Sequence, residues 1–432
     1  MKKYLLIYLL LFVVVFVTGC EDRTDIAAPA APSTGSANFT RFVAVGNSLT
    51  AGYQSSSLYQ SAQEYSYAKL IADQVGAKFE YPAYSDPGTG GRLEVVSLTP
   101  FATASNPAKG VPLNLNYAAP YNNLGIPGAF LYDFLNAYDS TTCFTAAAGV
   151  RNPMFNLVLR NQGGTQLTQF LQLKAQSPTF VIFWLGNNDV LGYAASGGVA
   201  PITPQPLFST FLKASFDSLA SLGVPVVVGN LIDVTVTPLV TTVGGQLRQQ
   251  GINAVFGVKG DGSVALLDLT QNLLTLNASA ELAAGKGTSP SNPLSNNVVL
   301  DNAEIVAIKT AVGTYNAQIQ AEAAARNFVY TDINAEFLKF AAATQSAAGG
   351  IVIDGLKFSV IYLTGGLFSL DGVHPSNQGA AVIANTFISS INAAYGASIP
   401  KINLATIPSG LPLKTGPISI KDIKAPEFKY IF

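Results

Sequence analysis

Apolar residues along this chain fall into two patterns: short unbroken runs closed by glycine or a polar turn, and longer stretches with apolar positions three or four apart. The unbroken runs lie at residues 42–45, 179–185 and 224–229, and a last strand is expected at 328–333. Strands apolar at every position belong to a sheet covered on both faces, the usual setting of parallel strands. Helical spacing recurs between the runs. Tyr67, Leu70, Ile71 and Val75 predict a first helix over residues 63–75, ended by Gly76. Further helices are expected at 165–174, 207–222 and 302–327, and from Pro375 to about residue 395. Strand and helix alternating in this rhythm predict an α/β domain around a parallel sheet.

The connections are long. Residues 80–125 carry Pro82, Pro87, Gly88, Gly90 and Gly91 as loop signals, with strands expected at 93–98 and, from alternation, at 113–117. Residues 122–129 read as turn, leading into a helix from Phe130. Residues 235–300 form an irregular stretch with turns at Asp261-Gly262 and Ser289-Pro290, and 335–370 form another elaboration. No internal repeat or second βαβ array is present, so one elaborated domain over 39–398 is expected. Residues 399–432, with Pro400, Pro408, Pro412, Pro417 and Pro426, read as an extended tail laid along it.

The first residues follow a different pattern. Lys2 and Lys3 precede an apolar stretch from Tyr4 to Val17, too short for a membrane span but of signal-peptide length. Val17-Thr18-Gly19-Cys20 resembles the lipobox of bacterial lipoproteins. That resemblance implies a signal peptide at 1–19, lipid attachment at Cys20 and anchorage to a bacterial envelope membrane, at the outer membrane or its periplasmic face. A plain secretory peptide ending in cysteine is the alternative. Residues 20–38, rich in Ala, Pro, Ser and Thr, read as a tether. The second cysteine, Cys143, is left without an intrachain partner and reads as a small buried residue. Charged residues make up 11% of the chain and the net charge is −1, so no basic stripe exists to neutralise phosphates and nucleic-acid binding is not expected.

Candidate chemistry begins where the first run stops. Gly46 ends it and Ser48 follows two residues later, at the carboxyl end of a predicted parallel strand, where α/β enzymes place ligands. A serine needs a general base, and the chain holds one histidine, His374. Asp371, three residues upstream, can reach Nδ1 of that histidine and fix its tautomer, and Pro375 fits the first position of the helix that follows. One histidine also argues against a histidine-rich metal site. Acyl transfer needs oxyanion donors as well. Gly128, in a proline-glycine turn, offers an unobstructed N–H, and Asn188, just past the run at 179–185, offers an uncharged amide. Asp189 is expected to order its loop.

These four stretches resemble the blocks of the SGNH hydrolases, the GDSL esterase/lipase family: Gly46-Asn47-Ser48-Leu49, Leu124-Gly125-Ile126-Pro127-Gly128-Ala129, Gly186-Asn187-Asn188-Asp189 and Asp371-Gly372-Val373-His374-Pro375. They come in the family's order. The resemblance implies a three-layer α/β/α sandwich with a mostly five-stranded parallel sheet of flavodoxin-like order, and no metal or organic cofactor. It also implies Ser48 as nucleophile, Asp371 and His374 as its triad partners, and an oxyanion hole from Ser48, Gly128 and Asn188. Gly125 is an alternative for the glycine of the second block. The chain departs from the family at Asn47, where the namesake motif has aspartate. The substrate class is then an ester, of acyl lipid or of acetylated carbohydrate. Tyr53, Tyr59, Tyr65, Tyr81 and Tyr84 could stack on sugars or line an acyl groove. A non-catalytic envelope lipoprotein that binds a glycan or partner through the same fold is the competing reading.

Overall fold

The computed structural model describes residues 32–98, 101–118 and 120–414; the signal peptide, Cys20, tether residues 20–31 and tail residues 415–432 lie outside the described residues. Five strands form the central sheet: β1 (Phe42–Gly46), β2 (Asn123–Gly125), β3 (Phe180–Trp184), β4 (Val226–Gly229) and β5 (Val329–Thr331). Their order is β2-β1-β3-β4-β5 and every pairing is parallel, the flavodoxin-like order expected. The order reverses at β1, which pairs with β2 on one side and β3 on the other. A crevice at the carboxyl ends of the strands follows from that reversal.

Period-two alternation splits each strand between two cores. Val43, Val45, Val181, Phe183, Val226 and Val228 enter one core. There they meet two helices, α2 (Gln205–Ala220) and α3 (Asn302–Ala325). Phe42, Ala44, Phe180, Ile182, Trp184 and Val227 enter the other. There they meet α1 (Tyr67–Gln74) and α4 (Asn377–Tyr395). This is the three-layer arrangement, and it explains why the strands are apolar at every position. The helices carry their own start and stop signals. Ser66 caps α1, and Gly76, at φ +65°, lies just beyond its end. Asp301 and Glu304 form a capping box on α3.

Several expectations are corrected. No strand forms at 113–117: Leu113 and Leu115 are each 49% exposed, so the alternation meets neither a partner strand nor a core. The helix expected from Phe130 is a single turn, Asp133–Asn136, stopped where the backbone becomes extended at Ala137; the Phe130 and Leu131 N–H groups ahead of it are bonded to the Asp133 and Asp189 carboxylates. Residues 123–125, read as turn, are the edge strand β2, with only three residues to betray it. Pro375 is not the first residue of α4; Ser376 caps that helix through its hydroxyl, and Pro375 bridges to Phe368. The stretch 235–300 holds a helix, Pro238–Gln249, and a hairpin, Ala254–Val258 with Val264–Asp268. The first part of the tail does lie on the domain. Ile399, Ile402, Leu404 and Ile407 are buried, and Leu413 bridges in parallel to Val95 of the hairpin Arg92–Leu98/Phe101–Asn106. Cys143 is buried and free.

Phe183 at the middle of β3 is 2% exposed and packs edge-on against Phe134 and Phe216, with ring centroids 4.9 and 5.9 Å away. Phe183→Ala is expected to cost about 3–5 kcal/mol in denaturant unfolding, the range for a buried aromatic that leaves a cavity; a loss under about 1 kcal/mol would contradict this account of the core.

Candidate active site

Three loops that leave the carboxyl edge of the sheet, after β1, β2 and β3, and the loop before α4 carry the residues singled out above. β1 must turn sharply to present Ser48. Gly46 makes that possible, because a Cβ there would collide with the Thr50 side chain and the Trp184 carbonyl. Asn47 then caps the four-residue helix Ser48–Ala51, its Oδ1 accepting from the Leu49 N–H at 3.1 Å. Asn47 thereby keeps the local bond that an aspartate oxygen would make. Its Nδ2 is buried with no acceptor among the described residues.

The loop before α4 brings the histidine and aspartate to this serine. His374 Nε2 lies 2.9 Å from Ser48 Oγ, and His374 Nδ1 lies 3.0 Å from Asp371 Oδ2. Asp371 is fully buried. Its Oδ1 accepts from the N–H groups of Val373 and His374 at 3.1 and 2.9 Å, and Oδ2 also accepts from the Ser56 N–H at 2.9 Å. Burial alone would raise its pKa; the imidazole and these N–H groups outweigh burial and hold the carboxyl below the ordinary aspartate value. An ionised Asp371 keeps the proton on Nδ1 and leaves Nε2 to accept from Ser48.

Sequence reasoning missed the support beneath this chain of bonds. Ser55 and Ser56 sit at φ +49° and +62°, an unusual backbone for non-glycine residues. Ser55 N–H donates to Ser369 Oγ and Leu370 N–H donates to Ser55 Oγ, so the two loops are laced together. The signal was the run Ser55-Ser56-Ser57 directly after the nucleophile block. Tyr53 packs its ring 4.9 Å from that of His374, and Tyr59 is buried beneath the Arg92 guanidinium. These two tyrosines are walls, not an exposed stacking platform. Tyr65, Tyr81 and Tyr84 are half-buried.

The two oxyanion candidates meet at one turn. Ile126-Pro127-Gly128-Ala129 closes with an Ala129 N–H to Ile126 carbonyl bond of 3.0 Å, and Gly128 stands at φ +79°, the geometry of a type II turn. The Gly128 N–H has no acceptor among the described residues. Gly125 does not share that freedom: its N–H is bonded to Asn123 Oδ1 at 2.9 Å. A Cβ at Gly125 would strike the backbone of the Ser48 helix, so this glycine serves close packing. Asn188 Nδ2 donates to the Ala129 carbonyl at 2.8 Å, which ties the loop after β3 to the turn after β2. Asn188 also lines the small cleft above Ser48 and His374, with Leu49, Val190, Leu191, Leu231, Ile232 and Val234 among its apolar walls.

Two further carboxylates hold the same loop. Asp133 accepts from the Phe130 and Phe144 N–H groups, each at 2.7 Å, and Asp189 accepts from the Leu131 N–H at 3.0 Å. Burial pushes Asp133 up to about 7, with the charge of Asp189 adding to it and the two N–H groups pulling back. Burial likewise pushes Asp189 up to about 6.

The sequence profile of the GDSL-like Lipase/Acylhydrolase family matches residues 42–387. The chain belongs to that family, whose members are acylhydrolases. No curated protein matches it.

The buried carboxylates give stability a pH dependence. An aspartate in an unfolded chain ionises near pH 3.9. Above that pH, and up to about 6 for Asp189 and about 7 for Asp133, the unfolded chain has released protons that the folded chain still holds. These two groups therefore lower stability as pH rises through that window, and their effect levels off above it. The Tm is expected to fall between roughly pH 5 and pH 7, with a smaller fall in Asp133→Asn. A Tm that rises across this range, or a slope the substitution leaves unchanged, would contradict the assignment.

Proposed function

We propose that this chain is a serine esterase that hydrolyses carboxylic esters through an acyl-enzyme. The observation that carries the reading is the continuous chain Ser48 Oγ–His374 Nε2 (2.9 Å) and His374 Nδ1–Asp371 Oδ2 (3.0 Å), set at the switch point of a parallel sheet. Ser48 Oγ attacks the ester carbonyl carbon as its proton passes to His374 Nε2, and Asp371 stabilises the imidazolium. The oxyanion is received by the Ser48 N–H, the Gly128 N–H and the second hydrogen of the Asn188 amide. As the C–O bond breaks, Nε2 returns the proton to the departing alkoxide. Water then repeats the sequence on the acyl-enzyme, with His374 again as base.

The cleft favours a short acyl group. The space in which a water molecule's centre can sit is about 40 Å³. At roughly 10–15 Å³ for each water, the enclosed part of the cleft suits an acyl group of about two to four carbons, and beyond it the cleft opens to solvent. The larger apolar groove lined by Phe130, Tyr132, Phe144 and Phe211 shares no lining residue with it. Of the two substrate readings, the size of the recess supports an acetylated polyol or carbohydrate over an acyl lipid. The cellular address belongs to the same proposal and rests on residues 2–20: a lipid on Cys20 would tether the domain to an envelope membrane.

Ser48→Ala and His374→Ala, each folded, are expected to lower hydrolysis of an aryl acetate by a factor on the order of 10⁴–10⁶. Acetyl and butyryl esters are expected to turn over faster than octanoyl ones. Undiminished activity in the alanine variants would overturn the serine mechanism; a preference for octanoyl esters would restore the lipid reading.

A further inference from the structure

Gly128 can adopt either of two turns. With Pro127 and Gly128 at its centre, a type II turn places Gly128 near φ +80°, and a type I turn places it near φ −90°. The two differ by a flip of the Pro127–Gly128 peptide, and glycine has no Cβ to forbid either. A flip would carry the Gly128 N–H to the opposite side of the turn. The N–H and the preceding carbonyl belong to one planar trans peptide and point in opposite directions. Whatever holds the Pro127 carbonyl therefore aims the Gly128 N–H.

That carbonyl is held by Asn152, whose Nδ2 donates to it at 2.8 Å. The Asn152 amide cannot rotate to present its oxygen instead. Its Oδ1 accepts from the Met154 N–H at 3.0 Å, at the start of the helix Met154–Leu159. Turning the amide over would set oxygen against the Pro127 carbonyl and NH₂ against the Met154 N–H, losing both bonds. The flanks of the turn are fixed as well: Asn188 holds the Ala129 carbonyl, Asp133 the Phe130 N–H and Asp189 the Leu131 N–H. Among the described residues, Asn152 alone acts on the peptide that can flip.

We propose that Asn152 is a positioning residue that locks the Pro127–Gly128 peptide in the orientation in which the Gly128 N–H serves as an oxyanion donor. This rests on the serine-esterase reading and on Gly128 as a donor within it. Asn152 sits 24 residues beyond Gly128 in a segment that carries no family motif, which is why sequence reading passed over it.

Asn152→Asp is the sharpest test. Aspartate caps a helix about as well as asparagine, so a merely structural role at the start of Met154–Leu159 predicts little change in activity. Positioning predicts the opposite, since a carboxylate repels the Pro127 carbonyl and offers it no donor. The expected result is a kcat lowered about 10- to 100-fold, part of the loss seen when an oxyanion donor is removed outright, with KM and Tm held. Asn152→Ala is expected to lower kcat in the same way and serves should the aspartate variant fail to fold. A trifluoromethyl ketone, which forms a tetrahedral adduct on a serine, should weaken by the same factor as kcat/KM. A kcat within about twofold of the parent in either folded variant, or a loss confined to KM, would overturn the proposal. Ser48-dependent turnover in the parent protein is measured alongside; its absence would mark failure of the esterase reading rather than of this one.

Discussion

A carboxylate withdrawn from water keeps its charge only when hydrogen bonds replace the water, and the site depends on that condition at Asp371. Its two oxygens accept three backbone N–H groups and the imidazole, two of those N–H groups from its own tight turn and one from the loop after the nucleophile. Each bond also fixes a piece of chain. The Ser56 bond draws the loop following Ser48 against the loop preceding α4, and serine laces at Ser55 and Ser369 hold that join. The same contacts that keep Asp371 ionised thus set the 2.9 Å approach of His374 to a serine 326 residues away in sequence. Asp133 and Asp189, buried with fewer donors, show the alternative outcome: their pKa values are pushed up instead.

Elsewhere around the site, uncharged amides hold the loops. Asn47 caps the nucleophile helix, Asn187 accepts from the Ile232 N–H, and Asn188 and Asn152 fix the turn at Gly128. Beyond β4, Asn316 bonds both the N–H and the carbonyl of Leu231, while Asn230 joins Tyr330 and Asp332. An amide can donate and accept at once without the desolvation cost of a charge. That is how a chain with 11% charged residues builds so many ordered loops. Asn47 belongs to this pattern, since the one bond its oxygen makes needs no ionic partner.

Much of this architecture was legible in the chain. Strands β1, β3 and β4 announce themselves because burial on both faces forbids polar residues, and Ser48, Asp371 and His374 stand out because only one histidine exists to serve them. Strand β2 was not legible: three residues, Asn-Leu-Gly, bury an edge without any periodicity to read. The alternation at 113–117 misled, because nothing local reveals whether a partner strand waits. Asn152 was equally hidden, and at Ser56 only the serine run hinted at a role. Their contributions run through backbone groups of distant loops, and a backbone N–H or carbonyl leaves no trace in sequence.

The central claim, that Ser48 is an activated nucleophile within this bond network, is tested most directly by covalent capture. A reactive alkyl phosphonate is incubated with the folded protein and the adduct mapped by peptide mass spectrometry. A single adduct on Ser48, formed readily in the parent protein and greatly slowed by His374→Ala, is the result this account predicts. No adduct, an adduct on another residue, or labelling of Ser48 that proceeds equally well without His374 would contradict it.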